Sequence, residues 1–346
     1  MKTPAYAAAS PATPLAPFSI DRREPGPHDL LIDILYCGVC HSDIHQARDE
    51  WGGSIFPLVP GHEIVGTVAK AGKDVTRWSV GDTVGVGCFV DSCRKCDACR
   101  SGEEQYCADC AFTYNYQRDG QDPTYGGYST RMTVDENYLL RIPDALPLVA
   151  AAPLLCAGIT CYSPLRHFGV KAGDSVAVVG LGGLGHVGAK LAKAMGARVT
   201  VLSHSPSKRR DALSLGADEF FVTSDAGVFE THAGQFSFIL DTVSAQHDYN
   251  QYLNLLTLDG TMVLVGLPEA TPIEAGPLVM RRRRLAGSLI GGIRETQEML
   301  DFCATHGIAA DIEIIPIQKV NDAYERVVKS DVRYRFVIDI ASLKHA

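Results

Sequence analysis

Four cysteines, Cys93, Cys96, Cys99 and Cys107, are spaced C-x2-C-x2-C-x7-C. This spacing lets four thiolates from one loop reach a single tetrahedral zinc. The residues between them, Arg94, Lys95, Asp97 and Arg100, are charged and do not belong in a hydrophobic core. Cys110, just beyond Cys107, offers the same donor, and spacing does not choose between the two. A zinc closed by four thiolates has no open position for substrate, so it should hold a fold together. Catalysis must then be sought elsewhere. All eleven cysteines lie in a chain without the apolar run of a secretion signal, which points to metal or reactive thiols rather than a disulfide framework.

A second pattern, Gly180-Leu181-Gly182-Gly183-Leu184-Gly185, follows an apolar run at 175–179 and opens a helical pattern at 184–195. In that context G-x-G-x-x-G is a dinucleotide fingerprint: the glycines let the backbone approach a pyrophosphate at a helix N-terminus. A site for NAD carries a carboxylate about 20 residues further on, against the ribose 2′-hydroxyl. Here the chain reads Leu202-Ser203-His204-Ser205-Pro206-Ser207-Lys208-Arg209. With hydroxyls and cations there and no carboxylate to repel a 2′-phosphate, NADP(H) is expected, on Ser203, His204 and Ser205 with the charge of Lys208 or Arg209. Ser205 also reads as a helix N-cap ahead of Pro206, with Gly216 ending that helix. The two roles are compatible.

Two kinds of element have to position these groups. Residues 1–152 are rich in Gly and Pro and hold short β-branched runs at 30–35, 64–68 and 83–86, as in a mainly antiparallel β domain with long loops. Residues 153–292 alternate short apolar strands, at 175–179, 198–202, 219–222, 236–241, 261–265 and 285–290, with helical segments. That alternation is the mark of an α/β, doubly wound parallel sheet of the Rossmann type. Residues 293–346, with one helix at 295–306 and two apolar runs, are too few to bury a core and should return to the first domain.

Further motifs carry a resemblance. Gly38-Val39-Cys40-His41-Ser42-Asp43-Ile44-His45, Gly61-His62-Glu63, Gly85-Val86-Gly87-Cys88, Tyr125-Gly126-Gly127-Tyr128, Pro153-Leu154-Leu155-Cys156-Ala157-Gly158 and Tyr334-Arg335-Phe336-Val337 stand at points along nearly the whole chain. Together the chain resembles the zinc-containing medium-chain alcohol dehydrogenases, specifically the cinnamyl alcohol dehydrogenase branch with its bacterial NADP-dependent aldehyde reductases. The resemblance implies a GroES-like catalytic domain and a catalytic zinc on Cys40, His62 and Cys156, with Glu63 beneath it. It implies Cys107 as the fourth ligand of the structural zinc, and a proton relay through Ser42 and His45. It sets His41 and Arg335 toward the coenzyme pyrophosphate, with Thr160, Val243, Gly266, Ser288 and Ile290 also along the coenzyme. It puts Trp51, Cys88, Phe112 and Leu289 at the substrate. The plant enzymes of this branch usually carry Leu at Trp51 and Trp at Phe112, which loosens any phenylpropenyl specificity.

The expected activity is hydride transfer between NADP(H) and a primary alcohol/aldehyde pair, with two zincs per chain. The alternatives are an NAD-dependent polyol or secondary-alcohol dehydrogenase and, from another class, a non-catalytic zinc and nucleotide-binding redox sensor. A net charge of −8 argues against a nucleic-acid partner, and the four arginines at 281–284 read as a solvated helix end. Pro4, Pro11, Pro14 and Pro17 interrupt the N-terminus, and Pro147, Pro153 and Gly158 interrupt the longest apolar run, so neither a signal nor a membrane span is expected. A cytoplasmic homodimer completes the expectation, joined edge to edge near 285–290.

Overall fold

The strand Asp29–Gly38 is the hub of the first unit: it pairs with three other strands, and its Leu30, Leu31, Ile32 and Ile34 are buried while Leu35 is exposed. In the computed structural model, which describes residues 1–11 and 13–345, it lies inside a seven-stranded sheet. The path runs Ile312–Pro316, Arg335–Asp339, Asp29–Gly38, Ile64–Ala71, Thr83–Val86, Leu140–Arg141, with Arg131–Asp135 also pairing on the hub. Every ladder is antiparallel except that between Ile312–Pro316 and Arg335–Asp339. The expected antiparallel β architecture is therefore present. The N-terminal residues add a separate two-stranded antiparallel sheet, Lys2–Ala7 with Ala16–Asp21.

The C-terminal residues return to this sheet. Val337 lies opposite Gly38 and Ile338 opposite Cys37, so the last strand braces the end of the hub from which Cys40 projects. The helix Ile293–His306 starts slightly earlier than its apolar period suggested and stops where Gly307 takes a φ of 64°, a left-handed cap that favours glycine. Its Met299, Leu300 and Cys303 are buried. Its first turn meets the cysteine-rich lobe: Arg294 donates to the Ser101 carbonyl at 2.8 Å, and Glu104 accepts from the Ile293 amide at 3.2 Å.

Met1–Cys156 and Gly291–Ala346 form one compact unit and Ala157–Ile290 the other. The divisions expected at 152/153 and 292/293 thus fall at 156/157 and 290/291. The physical reason at the first is Leu155, which is buried against Gly85: a side chain on that glycine would meet Leu155 at 3.1 Å.

The second unit holds a six-stranded parallel sheet in the order Glu219–Val222, Arg198–Ser203, Ser175–Val179, Phe236–Asp241, Leu256–Leu264, Arg284–Gly287. In chain order this is 3-2-1-4-5-6, the doubly wound arrangement for dinucleotides. Both faces are covered, which is why the central strands are nearly all apolar, with Val176, Ala177 and Val178 wholly buried. The last strand ends at Gly287, short of the expected 290, and Ile290 takes a φ of 37° that no strand continues. The arginines 281–284 do join a helix end to that strand; Arg282 pairs with Asp259, and Arg283 donates to the Leu256 carbonyl at 2.9 Å. Among the described residues no single helix is long and apolar enough to cross a membrane.

Candidate active site

Cys40 follows the hub strand and caps the short helix His41–Ala47, with Asp43 accepting from its amide at 2.8 Å. Val39 just before it is tied to the Phe336 carbonyl at 2.9 Å. His62 and Glu63 stand ahead of the strand Ile64–Ala71, and Cys156 ends the tight turn Ala152–Leu155. Distant in the chain, these four residues converge: one donor atom from each lies within 4.8 Å of all the others, and all four are buried.

The spacing suits zinc. The Cys40 and Cys156 sulfurs are 3.9 Å apart, and two Zn–S bonds of about 2.3 Å at the tetrahedral angle need about the same. His62 Nε2 is buried without a hydrogen-bond partner, a costly state that a metal bond relieves. The neighbouring Cys156 thiol holds the Cys40 thiol well below its usual range, while its own is pushed well above by Cys40 and Cys88. Cys40 is thus the readier of the two to ionise, and a divalent cation would displace the thiol protons.

Asp43, a residue that the motif reading left without a role, organises this cluster. Its carboxylate is wholly buried and accepts from the Cys40 amide, the Gly61 amide at 3.0 Å and the Tyr128 hydroxyl at 3.3 Å. It also lies 3.5 Å from His62 Nδ1, the arrangement that orients a metal-binding imidazole. Tyr114 stacks on that imidazole, ring centroids 5.7 Å apart. An acidic residue three positions after a helix-capping residue is a capping-box signal, and it could have identified Asp43. Gly61, at φ 104°, must be glycine here: a side chain would lie 2.6 Å from the Cys37 sulfur and 2.8 Å from the Tyr128 ring.

Glu63 and Arg335 form a buried ion pair through Glu63 Oε1 and Arg335 Nη2. Burial pushes the Glu63 carboxyl up to about 7 against the pull of Arg335, and Glu63 Oε2 has no hydrogen-bond partner. Arg335 was expected to face the coenzyme; here its Nη2 holds Glu63, and its Nε is unpartnered.

Ser42 Oγ lies 3.6 Å from the Cys40 sulfur. The His45 ring is stacked between His41 and Trp51, at 5.0 and 4.6 Å between centroids, and its Nδ1 pairs with Glu50, a partner that the motifs did not indicate. Of the residues expected at the substrate, Cys88 donates to the Leu155 carbonyl at 3.7 Å and interacts with Cys156 and His62. Trp51 spends one ring face on His45, while Phe112 and Leu289 are exposed.

Cys93, Cys96, Cys99 and Cys107 form the second four-donor cluster. Amides serve the sulfurs: Cys96 N–H donates to Cys93 at 3.4 Å, and Cys93 N–H and Asp109 N–H donate to Cys107 at 3.5 and 3.3 Å. Backbone hydrogen bonds from Lys95 and Cys96 draw the Cys93 thiol down to about 6, toward the thiolate that zinc requires. Cys110 stays outside the cluster, its thiol pushed up to about 12 by burial. Geometry thus separates Cys107 from Cys110 where spacing could not.

In the second unit, the three glycines of the fingerprint have different reasons to lack a side chain. At Gly180, φ is 88° and a Cβ would lie 2.8 Å from Val243; at Gly185 a Cβ would collide with the Gly180 carbonyl. At Gly182 nothing lies within 4 Å of that position, leaving room for a ligand to approach the backbone. Gly183 and Leu184 complete the turn into the helix Gly185–Ala194. Lys208 bends back to donate to the Leu181 carbonyl at 2.9 Å, which brings its charge to this turn. Ser203 ends its strand and accepts from the Ser205 amide at 3.3 Å, and His204 is exposed. Ser205 holds the N-cap position before Pro206, but its hydroxyl makes no capping bond; it pairs with Ser207 Oγ at 2.9 Å. The expected cap is thus positional only, because a 3-10 turn rather than an α-helix follows. Val243 and Gly266 touch each other beside the glycine turn, Thr160 is buried in the helix Ala157–His167, and Ser288 donates to the Leu264 carbonyl at 3.1 Å.

Comparison with known proteins agrees with this picture. Residues 26–144 match the alcohol dehydrogenase GroES-like domain and residues 183–305 the zinc-binding dehydrogenase model. An NADP-dependent alcohol dehydrogenase C of Mycolicibacterium smegmatis is 60% identical over 344 residues, 98% of each chain. Aldehyde reductase YahK of Escherichia coli is 54% identical over 348 residues, 99% of each. The crystal structure of a CAD from Helicobacter pylori complexed with NADP(H) superposes with a TM-score of 0.93 at 41% identity, covering 99% of each chain.

Proposed function

Since the chain belongs to the zinc-binding, GroES-like alcohol dehydrogenases, we infer that it moves hydride between NADP(H) and a primary alcohol or aldehyde, with one catalytic and one structural zinc. The observation that carries this reading is the buried cluster of two thiols and an imidazole whose Nε2 has no other partner. When bound, zinc supplies a Lewis acid for the substrate oxygen, and NADPH supplies the hydride.

The chain's own residues do the rest. Cys40, His62 and Cys156 would hold the metal, while Asp43 keeps the His62 ring turned toward them. Glu63, anchored by Arg335, offers its free Oε2 beneath the site. Ser42 is set to receive or return the substrate proton, and His45, its Nδ1 engaged by Glu50, is the second member of the relay. In the second unit the Gly182 backbone takes the pyrophosphate, with Ser203, Ser205 and Lys208 set for the 2′-phosphate. Cys88, Trp51, Phe112 and Leu289 belong with the substrate in this reading, which favours a broad aldehyde range.

The enzyme works in the cytoplasm, and it is a homodimer. The dimer reading is supported by Arg284–Gly287 being the terminal strand of its sheet, and by Val279 and Met280 just before it, 76% and 81% exposed.

The test is a panel of aliphatic and aromatic aldehydes with zinc-loaded protein and each coenzyme. Consumption of NADPH well ahead of NADH is expected. If no aldehyde in the panel is reduced, the reading fails.

A further inference from the structure

The strand Phe236–Asp241 ends on a carboxylate that is only 1% exposed. Asp241 Oδ1 accepts from the Val243 amide at 3.1 Å, and Oδ2 lies 2.8 Å from His247 Nε2. The other ring nitrogen of His247, Nδ1, lies 2.8 Å from the Ala245 carbonyl. Both oxygens can only accept. A neutral imidazole has one N–H, so one of these contacts would set a lone pair against an oxygen; the imidazolium satisfies both.

What this pair holds is the loop 242–247, and that loop is a wall of the glycine turn. Thr242 Oγ1 donates to the Val179 carbonyl at 2.7 Å. A side chain on Gly180 would lie 2.8 Å from the Val243 methyl, and one on Gly266 would collide with the Val243 carbonyl. A loop packed this closely cannot shift without moving the turn beside it.

We propose that His247 is a positioning residue for the coenzyme: as an imidazolium it clamps Asp241 and Ala245 together and fixes Thr242 and Val243 against Gly180–Gly185. The inference rests on the reading of that turn as the NADP(H) site. The groups that face His247 are Asp241 on its strand, Asp248 at the head of the helix Tyr249–Asn254, and Tyr249 and Tyr252, whose rings stand edge-on to it at 4.9 and 5.2 Å. Burial works against the charged ring, but the bond to Asp241, its charge and the Ala245 carbonyl outweigh it and raise the pKa above the ordinary value. The sign follows: the clamp is complete below the ordinary histidine pKa of about 6.5 and is lost as pH rises through the raised value. Coenzyme affinity should fall with it.

The experiment is NADPH binding by fluorescence titration from about pH 6 to 9, spanning the histidine range, on zinc-loaded wild type, His247→Gln and His247→Asn. Near pH 6.5 both substitutions should raise the Kd by roughly three- to tenfold, the range of one or two ordinary hydrogen bonds. Across the alkaline step, wild type should approach the variants while they stay level. Carbon-13 histidine spectra of wild type give a second readout that needs no variant: the His247 ring should lose its proton above the ordinary histidine midpoint of about 6.5. Variants that bind like wild type near pH 6.5, or a His247 signal that titrates at or below about 6.5, would overturn the proposal. Wild type that binds no NADPH at any pH sinks the site reading itself, and this inference with it.

Discussion

Asp43 is the residue on which the metal geometry turns. Its carboxylate lies 3.5 Å from His62 Nδ1, and the asparagine isostere keeps the shape but loses the negative charge. Asp43→Asn should weaken zinc binding by roughly 10–100-fold, the usual cost of losing such an outer partner, measurable by competition with a chromogenic chelator. Unchanged affinity would mean that Tyr114 and the backbone suffice to orient the ring. In the proposed function Lys208 plays the matching part for the coenzyme. Its ammonium reaches the Leu181 carbonyl, and a 2′-phosphate is the group that distinguishes the two coenzymes. Lys208→Ala should raise KM for NADPH by about tenfold or more, as expected for one charge-assisted contact, and leave KM for NADH nearly unmoved. Equal effects on both would argue that Lys208 only supports the turn. Arg335→Ala removes the partner of buried Glu63 and should cost about 3–5 kcal/mol in stability, read by chemical denaturation.

At the scale of elements, the cysteine-rich lobe acts as a brace. Through Ser101 and Glu104 it accepts hydrogen bonds from the first turn of the helix Ile293–His306. Cys107→Ser should therefore release the structural zinc and lower the melting temperature, while Cys110→Ser, outside the cluster, should retain two zincs per chain. Zinc content by elemental analysis with thermal unfolding decides between them; zinc lost from the Cys110 variant instead would reverse the assignment. Two strands differ in extent from their apolar runs. The strand Leu256–Leu264 begins earlier than its apolar run, since Leu256 pairs with Phe236 across a register shift that alternation does not reveal. Arg284–Gly287 ends early because the chain after it leaves the sheet, and residues 288–290 look no less strand-like than those before them.

For the whole molecule, the terminal strand Arg284–Gly287 and the exposed Val279 and Met280 lead to one prediction. Light scattering should give about twice the 37.3 kDa chain mass, and Met280→Asp should bring it toward one chain. A monomer in the wild type ends the dimer reading. The sequence by itself determined the four-cysteine lobe, the glycine turn and the parallel sheet, because each is encoded locally: short ligand spacing, a fixed offset from strand to helix, an alternating apolar period. It also carried the family motifs, from which Cys40, His62 and Cys156 could be grouped by resemblance. Tertiary structure alone decided what local spacing cannot hold. It brought Cys156 within 3.9 Å of Cys40, separated Cys107 from Cys110, set Asp43 behind His62, buried Arg335 against Glu63 and closed His247 on Asp241. The reason is that a buried donor or charge takes its partner from whatever the packed backbone brings within hydrogen-bond reach. For these residues those partners include side chains far away in the chain.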